Sequence, residues 1–198
     1  WTVYSIGGGA LSEGEDDQSE LGAKDVYELN KLGEIQQWCY DNGRSFWEYV
    51  EKCEGKEIWD YLDMVWQTMK QAIKNGLDHE GVLPGPLNLP RKAATYYTKA
   101  KGYRTSLQSR GLVYSYALAV SEENASGGTI VTAPTCGACG VLPAVLYHMH
   151  TSHDMSEQRI LRALATAGLV GNVVKQNASI SGADVGCQGE VGVACAMA

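Results

Sequence analysis

The segment that most constrains the fold is KEIWDYLDMVWQTMKQAIKNGL, residues 56–77, in which apolar side chains recur every three or four positions. One broad helical face collects Ile58, Tyr61, Leu62, Val65, Trp66, Met69 and Ile73. A stripe of this width is typical of a helix packed on a core, because strands alternate with a period of two. We predict a long amphipathic helix here, with Gly76 as its C-cap.

Similar spacing predicts helices along most of the chain, at 23–41, 44–55, 107–121, 140–151 and 156–175, with a last helix that starts near Glu190. We expect residues 1–22 to be an extended start followed by a loop. The three prolines of 80–90 indicate a rigid loop, and Pro134 favours an extended loop over a strand at 127–135. The sequence therefore predicts a mainly α fold, one domain over 1–198, with Gly-rich connecting loops.

Composition narrows the class of protein. The net charge is −7, from 16 basic and 23 acidic residues, and there is no basic run, which argues against binding to nucleic acid or to an anionic membrane. No apolar stretch reaches the roughly 18–20 residues that span a bilayer. Without a signal-peptide pattern, and with six cysteines in a chain large enough for a real core, we expect a reducing, cytoplasmic setting.

Four glycine-containing loops could bind a small anion: Ser5–Gly9, Asn124–Gly128, Pro134–Gly140 and Ser179–Gly189. The last two lead into predicted helices, whose free N–H groups attract carboxylate or phosphate. For each loop taken alone, an ordinary turn or cap is the favoured interpretation. None has the spacing of a phosphate-binding P-loop or of a dinucleotide fingerprint.

The cysteines and histidines leave several interpretations open. Cys136 and Cys139 form Cys-x-x-Cys, which could be a zinc knuckle, a thiol-redox pair or simple packing at a helix entry. The histidines at 148, 150 and 153 crowd one helix end, where a metal site or a favourable interaction with the helix dipole is conceivable. Cys187 differs because it sits between glycines at a helix start, which suits a metal or cluster ligand.

Five blocks together carry a resemblance: YSIGGG, EGVLPGPL, EENASGG, VTAPTCGACGVLPAVL and NASISGADVGCQGEVGVACAMA. In this order and at this spacing they resemble the catalytic α domain of the bacterial iron–sulfur L-serine dehydratases, and the match covers nearly the whole chain. The resemblance implies a helical catalytic domain that deaminates L-serine to pyruvate and ammonia. It implies a [4Fe–4S] cluster acting as a Lewis acid, and a β domain or subunit as partner; a homodimer stays open.

The resemblance also implies roles for individual residues. The cysteine of GCQGE, Cys187, would ligate the cluster, and Cys136, Cys139 and Cys195 match no ligand position. Because the family's other cluster cysteines lie farther along, we expect this chain to be a C-terminally truncated fragment that holds no stable cluster and is inactive alone. The substrate carboxylate would be bound by groups from the glycine-rich loops, namely Ser5, Gly7, Gly8, Gly9, Asn124, Ser126 and Thr135.

Two questions remain open at this level. The general base is unassigned, since His79 beside Asp78 lies outside the family blocks. A helical scaffold without catalysis, and a zinc or thiol-redox protein that uses Cys136 and Cys139, stand as the alternative functions.

Overall fold

The computed structural model describes residues 3–7, 10–12 and 26–198. Within them, a short antiparallel hairpin precedes eight α-helices. The strands are β1 (Tyr4–Gly7) and β2 (Ala10–Ser12), and the helices are α1 (Leu32–Asn42), α2 (Phe46–Glu54), α3 (Ile58–Asp78), α4 (Ala93–Lys101), α5 (Thr105–Ala125), α6 (Val141–Ser152), α7 (Glu157–Asn177) and α8 (Gly182–Met197). The predicted mainly α fold is confirmed.

The boundaries of α1 and α8 correct the sequence prediction. Helix α1 begins at Leu32 and not at residue 23. Within residues 26–31, Tyr27 and Leu29 pack against the core, and the Leu29 N–H donates to the Tyr49 hydroxyl at 3.2 Å. Helix α8 begins at Gly182, eight residues before the predicted start at Glu190. Helix α4 was not anticipated, since its sequence AATYYTKAK has little apolar periodicity.

Gly76 is not the C-cap of α3. The helix continues to Asp78, and Gly76 lies buried where α3 crosses α5. A Cβ at Gly76 would lie 2.2 Å from the carbonyl oxygen of Ala119, so the glycine permits a close approach of two helices. The sequence signal was real, but its cause is packing and not the ending of a helix.

The core lies around α3. One cluster of buried side chains joins α1, α2, α3, α6 and α7 and contains Ile35, Tyr49, Trp66, Met69 and Ile160. A second joins α3, α5 and α6 around Ile73, Tyr116, Val120 and Cys139. Helix α5 thereby packs against α3 and α6, and it also contacts α4.

Two irregular segments connect these helices, as the sequence predicted. Residues 80–90 form a loop closed by an isolated bridge between Val82 and Pro90. Residues 127–135 form an irregular segment without strand pairing and contain a cis peptide bond between Ala133 and Pro134.

Candidate active site

The loop before α6 is fixed to the C-terminal half of α5. The side-chain amide of Asn124 donates to the carbonyl oxygen of Cys136 at 3.0 Å. At the other end of the loop, a Cβ on Gly140 would lie 2.5 Å from the carbonyl oxygen of Ala117. The loop 134–140 therefore has little freedom to shift along α5, and the first turn of α6 starts from a defined position.

Glu190 of α8 reaches into the same loop. The buried hydroxyl of Thr135 donates to the Glu190 carboxylate. A Cβ on Gly137 would lie 2.6 Å from Oε1 of this carboxylate, and one on Gly182 would lie 2.9 Å from Oε2. Two glycines and one threonine, from the 134–140 loop and the start of α8, thus enclose a single carboxylate. The sequence analysis noted Glu190 only as the start of the last helix.

Cys187 follows a break in α8. Gly186 has φ 70° and ψ 171°, which interrupts the helix, and Cys187 is the next residue. Its side chain is exposed, as is that of Cys195 one helical stretch later. On the N-terminal side of the break, the Ser179 hydroxyl donates to the Asp184 carboxylate at 2.8 Å. Because Gly186 has a positive φ, a glycine is favoured at the position before Cys187.

Two adjacent buried acids lie on the last turns of α5. Glu122 accepts hydrogen bonds from the backbone N–H groups of Lys92 at 2.6 Å and Ala93 at 3.2 Å, so its carboxylate caps the start of α4. Glu123 pairs with Arg91 at 3.2 Å, and their side chains are only 5% and 9% exposed. The sequence analysis missed this pair; two glutamates ending an apolar helix were the available signal.

His79 completes this second cluster. Its Nδ1 lies 2.8 Å from Oε1 of Glu123, and its side chain is 57% exposed. The carboxylate therefore orients the imidazole ring while its other nitrogen, Nε2, is left for solvent or another partner. Arg91 also donates to the Ser126 hydroxyl, and that hydroxyl donates to the carbonyl oxygen of Glu122 at 2.7 Å.

The predicted carboxylate-binding residues that the structure describes thus lie in three places. Asn124 and Thr135 lie where α5, the 134–140 loop and α8 meet, whereas Ser126 belongs to the neighbouring Arg91–Glu123 cluster. Ser5 and Gly7 lie in β1, which pairs with β2. Gly8 and Gly9 lie outside the described residues.

The alternative sites suggested by the sequence have unfavourable surroundings. Cys139 is fully buried, and this burial raises the pKa of its thiol to about 11, so it resists forming the thiolate that zinc or redox chemistry needs. His148 is held between the hydroxyls of Ser109 and Ser152, and burial lowers its pKa. In the described part of the chain, no three His, Cys, Asp or Glu side chains are grouped closely enough to hold a metal ion.

One cavity borders part of the irregular segment 127–135. It measures about 320 Å³, is mainly apolar, and is walled by α2, α3, α7 and residues 131–134. None of the described site residues predicted from sequence lines it. None of the helices in the described ranges is both long and apolar enough to cross a membrane.

Comparison with known proteins shows which protein family this chain resembles. Residues 15–198 match the family described as the serine dehydratase alpha chain. An L-serine dehydratase of Haemophilus influenzae is 45% identical over 210 aligned residues, covering 100% of this chain and 46% of that protein. L-serine dehydratase 1 of Escherichia coli is 43% identical, and an L-serine dehydratase of Streptomyces coelicolor is 38% identical, with the same coverage of each.

This chain spans about half the length of the curated relatives that it matches. Across that half, the match includes the α5 end, the 134–140 loop and the α8 break, which are the segments that the structure brings together. The chain belongs to the serine dehydratase alpha-chain family.

Proposed function

We propose that this chain contributes part of the active site of an enzyme that deaminates L-serine to pyruvate and ammonia by β-elimination of water. The observation that carries the proposal is the full-length match of this chain to relatives named L-serine dehydratase, at 45%, 43% and 38% identity. Because the match covers 46% of each relative, the activity is proposed for the protein that includes the remaining half.

The cofactor proposed for the intact enzyme is a [4Fe–4S] cluster with Cys187 as one ligand. When bound, such a cluster supplies a Lewis acid that assists departure of hydroxide, which is a poor leaving group on its own. Cys187 fits this role sterically, since its thiol is exposed next to the helix break at Gly186. Cubane clusters use several thiolates, however, and the described residues around Cys187 supply no complete set.

The residues of this chain have a positioning role in the proposed reaction. The N-terminus of α6, at Gly140 and Val141, carries the positive end of the helix dipole, which favours the α-carboxylate of serine. Asn124 uses one amide hydrogen on Cys136 and keeps a second for a ligand. The Thr135 hydroxyl donates its hydrogen to Glu190, so it can bind a substrate only through its lone pairs. Thr135 also holds in place the loop that would bind the substrate. Ser126, braced by Arg91, supports the adjoining turn.

The proton acceptor of the elimination is not assigned to any residue. The His79–Glu123 pair has the geometry of an oriented imidazole, but the same contacts also brace the proline-rich loop against α5. The proposed substrate is L-serine, and the proposed protein partner is a serine dehydratase β domain or subunit. A homodimer is the other assembly that we consider. The proposed location is the cytoplasm.

The test uses the full-length protein that contains this chain. After reconstitution with iron and sulfide under argon, we expect about four irons per chain and production of pyruvate from L-serine. Cys187→Ser should lose most of the iron and the activity, whereas Cys136→Ser should keep both, because a hydroxyl is a poorer iron ligand than a thiolate. Normal iron content in Cys187→Ser contradicts the ligand assignment, and absence of pyruvate in the wild type contradicts the function.

The 198-residue chain alone provides a second measurement. With Cys187 as the single proposed ligand, we expect substoichiometric iron after the same reconstitution and no pyruvate. About four irons per isolated chain would show that Cys136, Cys139 or Cys195 also ligate iron.

A further inference from the structure

The carboxylate of Glu190 is enclosed more closely than an ordinary surface acid. It lies over the backbone of Gly137 and of Gly182, where added Cβ atoms would approach its oxygens to 2.6 Å and 2.9 Å. The Thr135 hydroxyl, itself buried, donates to it from the loop that precedes α6. These contacts join residues that are 55 positions apart in sequence, and neither glycine could be replaced without moving the carboxylate.

Glu190 also shares a helical stretch with Cys187. The two residues are three positions apart after the break at Gly186, and side chains at this spacing lie on the same face of a helix. Whatever holds Glu190 in place therefore also fixes the rotation of this stretch, and with it the direction in which Cys187 points. The same contact holds Thr135 and, through it, the start of α6.

We propose that Glu190 is a positioning residue, which through its contact with Thr135 locks the 134–140 loop to the stretch of α8 that carries Cys187. The inference rests on the proposed function for its catalytic consequence, because the two elements locked together are the proposed carboxylate-binding loop and the proposed cluster ligand. The role requires an acceptor oxygen at the position of Oε1 and requires neither a negative charge nor a transferable proton.

This distinction makes Glu190→Gln and Glu190→Ala informative as a pair. Glutamine keeps an oxygen that accepts from Thr135, whereas alanine removes the acceptor. Thr135→Ser and Thr135→Val repeat the comparison from the donor side. Gln188→Ala, a change of an exposed side chain on the same helix, is the matched control.

The first readout is hydrogen exchange of the 198-residue chain, measured by mass spectrometry, and it needs no activity. We expect Glu190→Ala and Thr135→Val each to accelerate exchange of the 135–141 amides by about tenfold or more, since local opening becomes easier. The double variant should exceed neither single variant appreciably, because both remove one interaction. Glu190→Gln, Thr135→Ser and Gln188→Ala should stay close to wild type. Unchanged exchange in Glu190→Ala overturns the proposal.

The second readout is steady-state kinetics of the full-length enzyme. Glu190→Ala should lower kcat/KM for serine by about tenfold or more, with Glu190→Gln retaining most of it. If glutamine fails as badly as alanine while the loop stays protected, Glu190 acts by its charge or its proton, and the positioning role is wrong. If the wild type makes no pyruvate, the proposed function fails, and the exchange experiment still decides whether Glu190 locks the loop.

Discussion

Replacement of Gly76 by alanine tests the contact that brings α3 and α5 together. A Cβ at this position would lie 2.2 Å from the oxygen, 2.6 Å from the carbonyl carbon and 2.7 Å from the Cα of Ala119. Ordinary contact begins near 3.4 Å, so the helices must separate by roughly 1 Å to admit the methyl group. The obstacle is backbone, which cannot rotate away as a side chain could.

The magnitude follows from two opposing terms. Alanine is a better helix former than glycine by about 1 kcal/mol. Overpacking of a core costs about 1–3 kcal/mol, and a backbone obstacle at this distance belongs at the upper end of that range. We therefore expect Gly76→Ala to lower the free energy of unfolding by about 2 kcal/mol, which combines these two terms.

Gly168→Ala is the matched control in the middle of α7. A Cβ there would meet no atom within 4 Å, so only the propensity term operates. We expect a gain of about 0.5–1 kcal/mol. Urea denaturation followed by circular dichroism at 222 nm measures both variants against wild type. If Gly76→Ala proves as stable as Gly168→Ala, the close approach of α3 and α5 is not what the glycine is for.

Three further outcomes are expected. Arg91→Leu leaves the buried Glu123 carboxylate without its cation, and we expect a loss of about 3 kcal/mol by urea denaturation, the lower end of the range for a broken buried pair. Burial lowers the pKa of His148 in the folded protein below its ordinary value of 6.5, so as the pH falls the unfolded chain binds this proton first. The free energy of unfolding should therefore be highest above pH 6.5 and decline below it. His148→Gln should make this decline shallower. Iodoacetamide at about pH 8 should alkylate exposed Cys187 and spare buried Cys139, whose pKa is raised to about 11, as read by peptide mass spectrometry.

Each of these outcomes has its control. Arg44→Ala breaks an exposed pair with Glu48 and should change stability little, so an equal loss in both arginine variants would contradict the importance of burial. For the histidine, a decline of the same steepness in His148→Gln would assign the pH dependence to other groups. For the thiols, all six cysteines should react in urea, and rapid labelling of Cys139 in the folded protein would contradict its burial.

Helical periodicity explains why much of the fold was predictable. The apolar stripe of α3 is visible in any reading of residues 56–77, and the structure confirms the helix over Ile58–Asp78. Pro134 correctly excluded a strand from 127–135. These features are local, since they depend on a residue and its neighbours within a turn or two. The motif around Cys187 was recognisable for the same reason, as a contiguous string of residues.

What the sequence alone did not determine are the contacts between distant segments. Nothing near Glu190 in the chain indicates that its carboxylate meets Thr135, and nothing near Glu123 indicates that it is buried against Arg91. Gly76 shows the same limit: a glycine near a helix end predicts a cap, but the backbone of α5 decided its place inside α3. The sequence determined most of the helices, apart from α4 and the starts of α1 and α8, and it determined which strings mark a family, because periodicity and motifs are properties of neighbours. Only the tertiary structure decided which polar groups pair, because pairing depends on how the helices cross.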